Sequence, residues 1–126
     1  MFDRFFPDRY VASTYVIDFE KLYEEVVRGL IFDIDNTLVP HGAPADERAK
    51  ELFARLKAIG FRCCLISNNQ KPRVEMFNKD IQVDYVYNAH KPSTRNYLRA
   101  MEIMGTDRKN SVFIGDQLFT DVWGAK

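Results

Sequence analysis

Four short segments of this chain carry the residue types that handle metal and phosphate. Asp33-Ile34-Asp35-Asn36-Thr37 follows one apolar run, and Ser67-Asn68-Asn69 follows another. Lys91-Pro92 comes next, and Gly115-Asp116 leads on to Thr120-Asp121. Alternate residues of an extended chain share a face, so Asp33 and Asp35 can address one centre. Two close carboxylates repel unless a cation or a shared proton relieves them. Asp116 brings a third negative charge, which favours a hard divalent ion, Mg²⁺, completed by water and phosphate oxygens. Lys91 and the Ser67 hydroxyl complement a dianionic phosphoryl group. Asn36 and its neighbours after Asp33 offer backbone N–H groups to the same oxygens. Metal, phosphate cradle and nucleophile are thus all supplied. Phosphate monoesters are so inert that enzymes accelerate their hydrolysis by up to ~10²¹-fold. Dense charge stabilisation is what that reaction needs.

The elements that must position these residues alternate in type. Residues 29–33 read as a buried strand ending in acid, and 61–66, 83–87 and 111–114 as three more. Between them, 45–59 follows the helical period through Ala49, Leu52, Phe53, Leu56 and Ile59, with Gly60 as a stop. A short helix is expected over 71–80, and another over 92–104 with Pro92 in its first turn and Gly105 beyond its end. Residues 18–28 look helical, whereas 10–17 fit extended chain and helix equally. The alternation predicts an α/β, Rossmann-like parallel sheet of order 3-2-1-4 with helices on both faces. Each polar segment follows a strand, and ligands of such sheets bind beyond the strands' carboxyl ends. One domain is expected over 1–126, with 1–28 as an N-terminal extension packing on it.

Composition narrows the classes. The chain has 126 residues, with 18 basic and 18 acidic side chains and zero formal net charge. Duplex-binding domains carry a marked positive excess, so no nucleic acid is expected as partner. No apolar run reaches the ~18–20 residues of a membrane span, and the first ten residues contain Asp3 and Asp8 rather than a signal-peptide core. The two cysteines, Cys63 and Cys64, are adjacent, against both a disulfide framework and ordinary zinc spacing. They read as strand packing in a reducing compartment, which points to the cytoplasm. Phe2, Phe5, Phe6 and Tyr10 either pack on the domain's own core or give peripheral membrane contact. His41 and His90 read as loop residues.

The segments together resemble the four motifs of the haloacid dehalogenase (HAD) superfamily of phosphatases. Motif one is Phe32-Asp33-Ile34-Asp35-Asn36-Thr37-Leu38-Val39, motif two Ile66-Ser67-Asn68-Asn69, motif three Lys91-Pro92, and motif four Ile114-Gly115-Asp116-Gln117-Leu118-Phe119-Thr120-Asp121. A bare Asp-x-Asp is common by chance; four motifs in order at strand ends are not. Asp-Asn-Thr-Leu-Val, Ser-Asn-Asn and Gly-Asp-Gln-Leu are similar more narrowly to subfamily IIIA, the YqeG-like branch. Some eukaryotic members of that branch are phosphatidylglycerophosphate phosphatases. The resemblance implies that Asp33 is the nucleophile and that Asp35 protonates the leaving oxygen, then deprotonates water. It implies Mg²⁺ on Asp33, Asp116 and the backbone carbonyl of Asp35. Asn36, Thr37, Ser67, Asn68 and Lys91 would serve the phosphoryl group, with Thr37 also supporting the loop of Asp35. Asp121 would orient Lys91 or a metal-bound water.

Two other classes use similar parts. A receiver-type phosphoacceptor domain also places acids, a hydroxyl and a lysine on a parallel sheet, but there the lysine comes last; here acids follow Lys91. A binding module without catalysis would have lost Asp33 or Asp35, and both are present. Between Asp33 and Ser67, and between Ser67 and Lys91, there is room for one helix and one strand each. No cap domain fits, so the expected substrate is large or surface-bound: a phospholipid headgroup or a macromolecule. After Asp121 a helix and a further strand are expected but do not fit, so the chain reads as C-terminally truncated. The fourth strand would then be an exposed edge open to self-association.

Overall fold

A computed structural model describes residues 14–87, 94–115 and 119–121, with the backbone alone for 94 and 119–121. The strands are β1 (Gly29–Asp33), β2 (Arg62–Ile66), β3 (Asp84–Val86), β4 (Ser111–Ile114) and β5 (Phe119–Asp121). The helices are α1 (Phe19–Glu24), α2 (Glu47–Ile59), α3 (Lys71–Asn78) and α4 (Thr94–Met104). The strands form one sheet of order β3-β2-β1-β4-β5. Pairing from β3 through β4 is parallel, as strand–helix alternation requires.

Strand alternation divides the core in two. Leu30 and Phe32 of β1, with Cys63 and Leu65 of β2, face one layer with Leu22, Leu52, Phe53, Leu56, Val74 and Phe77 of α1, α2 and α3. Ile31, Cys64 and Ile66 face the other, against Ala100, Met101 and Met104 of α4. β1 is buried on both faces, which is why it reads as an unbroken apolar run. Local chemistry sets the helix ends. Asp46 caps α2 by accepting the Ala49 N–H at 2.8 Å, and Gly60 ends it at φ +121°. A Cβ on Gly60 would come within 2.8 Å of the Tyr23 hydroxyl.

Residues 14–28 lie against the domain. Phe19 and Leu22 enter the core, and the Tyr15 hydroxyl donates to the Leu38 carbonyl at 2.8 Å. The Arg48 guanidinium lies 4.2 Å over the Tyr15 ring. Phe2, Phe5, Phe6 and Tyr10 fall outside the described residues. No helix among the described residues is long and apolar enough to cross a membrane.

The C-terminal expectations need correcting. A further strand is present, and β4 is not the sheet edge: β5 pairs antiparallel with it, Phe119 opposite Ile114, Thr120 opposite Phe113 and Asp121 opposite Val112. An antiparallel return needs only a few residues, whereas the expected parallel strand needs a crossover helix. Pairing also satisfies the backbone groups that an open edge leaves bare. Asp121 is therefore part of a strand rather than the start of a helix, and an exposed β4 edge no longer argues for self-association.

Candidate active site

The sheet register gathers the first two motifs. Asp33, the last residue of β1, stands opposite Ile66, so Ser67 lies just beyond the neighbouring strand end. On the other side Phe32 stands opposite Ile114, which brings Gly115 to the same rim. Asp33 is half-buried. Its charge reaches Tyr97 of α4, whose hydroxyl is pushed up first by burial and then by that carboxylate. Ser67 is buried; its Oγ accepts the Asn69 N–H at 3.0 Å while its own N–H donates to the Val86 carbonyl at 3.0 Å. Asn68 sits in the same turn.

The loop after β1 is tightly wound. The Ile34 carbonyl accepts from the N–H groups of Thr37 at 3.2 Å and Leu38 at 3.0 Å, and the Asn36 N–H donates to Val39 at 2.7 Å. Asn36 takes φ +63°, a left-handed conformation that Asn tolerates better than most residues. Thr37, within this loop, is buried, and its Oγ1 has no hydrogen-bond partner among the described residues.

Asp35 is held from three directions. Its Oδ1 accepts from the Gly42 N–H at 2.7 Å and from Arg73 Nη2 at 2.6 Å, and its Oδ2 accepts from Asn69 Nδ2 at 2.9 Å. His41 Nδ1 stands 3.9 Å from Oδ1. Burial works to raise the pKa of this carboxyl, but the Gly42 hydrogen bond and the Arg73 guanidinium outweigh it, so Asp35 lies below the usual carboxylate range. Arg73, Asn69 and Gly42 were not anticipated as its partners. The available signal was a cation in the first turn of the helix that follows the Ser67 turn, where an anion is expected. Lys91 and Asp116 lie outside the described residues. The backbone of Asp121 lies opposite Val112, two residues back along β4 from the rim end at Ile114.

Among the described residues no three acids, histidines or cysteines cluster to hold a metal ion. The donors that are described nonetheless fit a hard cation. Asp33 brings a half-buried carboxylate to the rim, and the strand neighbouring it runs on through Gly115 towards Asp116. Three hydrogen bonds hold the side chain of Asp35, and its backbone carbonyl is the oxygen that residue could turn to a cation.

A parallel sheet of this order, with an acid-tipped central strand and a Ser-Asn-Asn turn beside it, defines a class, and comparison with known proteins agrees. The family model for haloacid dehalogenase-like hydrolases matches residues 42–126. Probable phosphatase YqeG of Bacillus subtilis (strain 168) is 40% identical over 121 residues, which cover 95% of this chain and 70% of that protein. The chain therefore belongs to the haloacid dehalogenase-like hydrolases and is an enzyme of their phosphatase class. The family-model match begins after Asp33 and Asp35, whereas the YqeG alignment spans nearly the whole chain. A solved HAD family hydrolase from Streptomyces avermitilis MA-4680 superposes with a TM-score of 0.56 at 14% identity, over 71% of this chain. The chain spans 60% of that structure's length, and at that identity the likeness is one of fold.

Proposed function

We propose that this protein is a Mg²⁺-dependent phosphomonoester hydrolase working through an aspartyl-phosphate on Asp33. The observation that carries the reading is the shared rim. Asp33 ends the central strand, Ser67 stands just past the adjoining strand end, and the Asp35 carboxylate is held by the Asn69 side chain of the same turn. An Asp33 oxygen attacks phosphorus and the ester P–O bond breaks. The leaving oxygen takes a proton from Asp35; because the donors around Asp35 favour its ionised form, that proton is one brought by the acid form of the substrate or kept from the water of the preceding turnover. Water then attacks the aspartyl-phosphate, its proton passes to Asp35, and Asp33 is released with inorganic phosphate. Ser67 still has a hydroxyl hydrogen to offer a phosphoryl oxygen. Lys91 and Asn68 complete the cradle in this reading, and Asp121 supports Lys91; the N–H groups of Asn36 and Thr37, expected to join them, are instead spent on the Val39 and Ile34 carbonyls. Asp33, Asp116 and the Asp35 carbonyl would hold the ion, which when bound would neutralise phosphoryl charge.

Among the described residues, the one helix and one strand between successive motifs include no inserted segment that could roof the rim, which favours a large or surface-bound substrate: a phospholipid headgroup such as that of phosphatidylglycerophosphate, or a phosphorylated macromolecule. Phosphate release from a panel of such compounds, sugar phosphates and nucleotides, with and without Mg²⁺, tests the reading. Metal-independent release, or full activity in Asp33→Asn, would overturn it.

A further inference from the structure

The Arg73–Asp35 pair is a poor device for stability. Both side chains are largely buried, at 13% and 15% exposure. Taking two charges out of water costs several kcal/mol per ion, of order, unless every donor and acceptor is satisfied. Here they are not: Nε and Nη1 of Arg73 are buried without a hydrogen-bond partner among the described residues, and the guanidinium's bond to Asp35 is made by Nη2. A cation kept at such cost beside a reacting carboxylate has another use.

The acceptor arithmetic shows what that use is. An ionised carboxylate has about four lone-pair directions, two on each oxygen. Oδ1 spends two of them, on the Gly42 N–H and on Arg73, and Oδ2 spends one on Asn69. Among the described residues one acceptor direction remains, and it is on Oδ2. The three donors come from separate places: the turn after the first motif, the Ser67 turn and the first turn of α3. Together they fix the plane of the carboxylate and leave a single oxygen to carry the proton.

We propose that Arg73 is a positioning residue that, with Asn69, orients Asp35 so that Oδ2 exchanges the proton with the leaving oxygen and with water. The proposal rests on the phosphatase reading above. Arg73 acts through Asp35 rather than on the substrate. Its loss should therefore be felt in proportion to how much the departing oxygen needs a proton. An alkoxide needs one; p-nitrophenolate does not.

The test compares kcat/KM, which reports the steps up to leaving-group departure, for glycerol phosphate and p-nitrophenyl phosphate with Mg²⁺. Arg73→Gln should lose ~10²-fold on the alkyl ester, within the range of general acid catalysis, and less than about tenfold on the aryl ester. Arg73→Lys should recover part of the alkyl loss. Asn69→Ala should show the same inequality, and it carries the test should Arg73→Gln not fold. Equal losses on the two esters would overturn the proposal, since a substrate-binding or purely structural arginine predicts them; so would unchanged kinetics. The wild-type protein separates the two levels. If it shows no Mg²⁺-dependent turnover that Asp33→Asn abolishes, the phosphatase reading falls and this proposal with it. Turnover with equal losses removes Arg73 alone.

Discussion

Asp33 and Asp35 differ in what surrounds them, and so in what their loss should do. Asp33→Asn replaces a nucleophile with a poor one, so turnover should vanish while the fold, whose core lies in the layers behind the rim, keeps its unfolding midpoint. Beryllofluoride with Mg²⁺ should bind the wild type as an acyl-phosphate mimic and fail on Asp33→Asn by calorimetry. Asp35→Asn should cost stability as well as activity. It removes the counter-charge of Arg73, and leaving a buried cation unpaired costs about 3 kcal/mol. Urea denaturation should show that loss, and adding Arg73→Met should recover most of it; an Asp35→Asn protein as stable as wild type would mean the pair is solvated in solution. The cysteines give a pH signature. Burial pushes the Cys63 and Cys64 thiols up to about 12. The unfolded chain releases those protons nearer ~8.5, so it binds fewer protons than the native state above that pH. Stability from this source is complete below ~8.5 and is lost as pH rises towards 12. Melting temperature should fall more gently with pH over that interval in Cys64→Ala than in wild type.

At the scale of elements, the capping residues can be weighed singly. Asp46→Ala forfeits the bond to the Ala49 N–H and should cost about 1 kcal/mol in urea denaturation, with activity retained. The first four strands and the helices between them were legible because apolar runs and helical periods are set by burial on a sheet, a strong and local signal. Leu30, Ile31 and Phe32 all being apolar already says that β1 has two covered faces. β5 was not legible. Phe119-Thr120-Asp121 carries no distinctive pattern, and its pairing depends on the open backbone of β4, which no residue type announces. The site divides in the same way. Asp33, Asp35 and Ser67 stood out because acids and hydroxyls after apolar runs have few structural uses. Arg73 did not, because an arginine in the first turn of a polar helix is ordinary until its partner is known. The contact joins α3 to a loop far back in the chain, and only the register of β1 on β2 brings those two segments together.

For the molecule as a whole, the proposed large or surface-bound substrate carries an expectation of its own. Bulk attached beyond the phosphoryl group should therefore be tolerated, and kcat/KM should hold or rise from a free glycerol phosphate to the same headgroup presented on a vesicle. A strong preference for one small metabolite would count against that expectation. The topology also has a consequence in time. β1 pairs with β2, which follows closely, and with β4, which begins only at Ser111. During synthesis, β1, β2 and β3 can therefore associate well before β4 leaves the ribosome, and the segment carrying Gly115 arrives after the β1 flank it must join. Between the emergence of β3 and that of β4 the chain would display half a rim, with Asp33 and Ser67 in place and the β4 flank of the central strand unpaired. The nascent protein is in this sense inert by order of assembly: its phosphoryl chemistry cannot start until β4, made after the other parallel strands, docks beside β1, made before them.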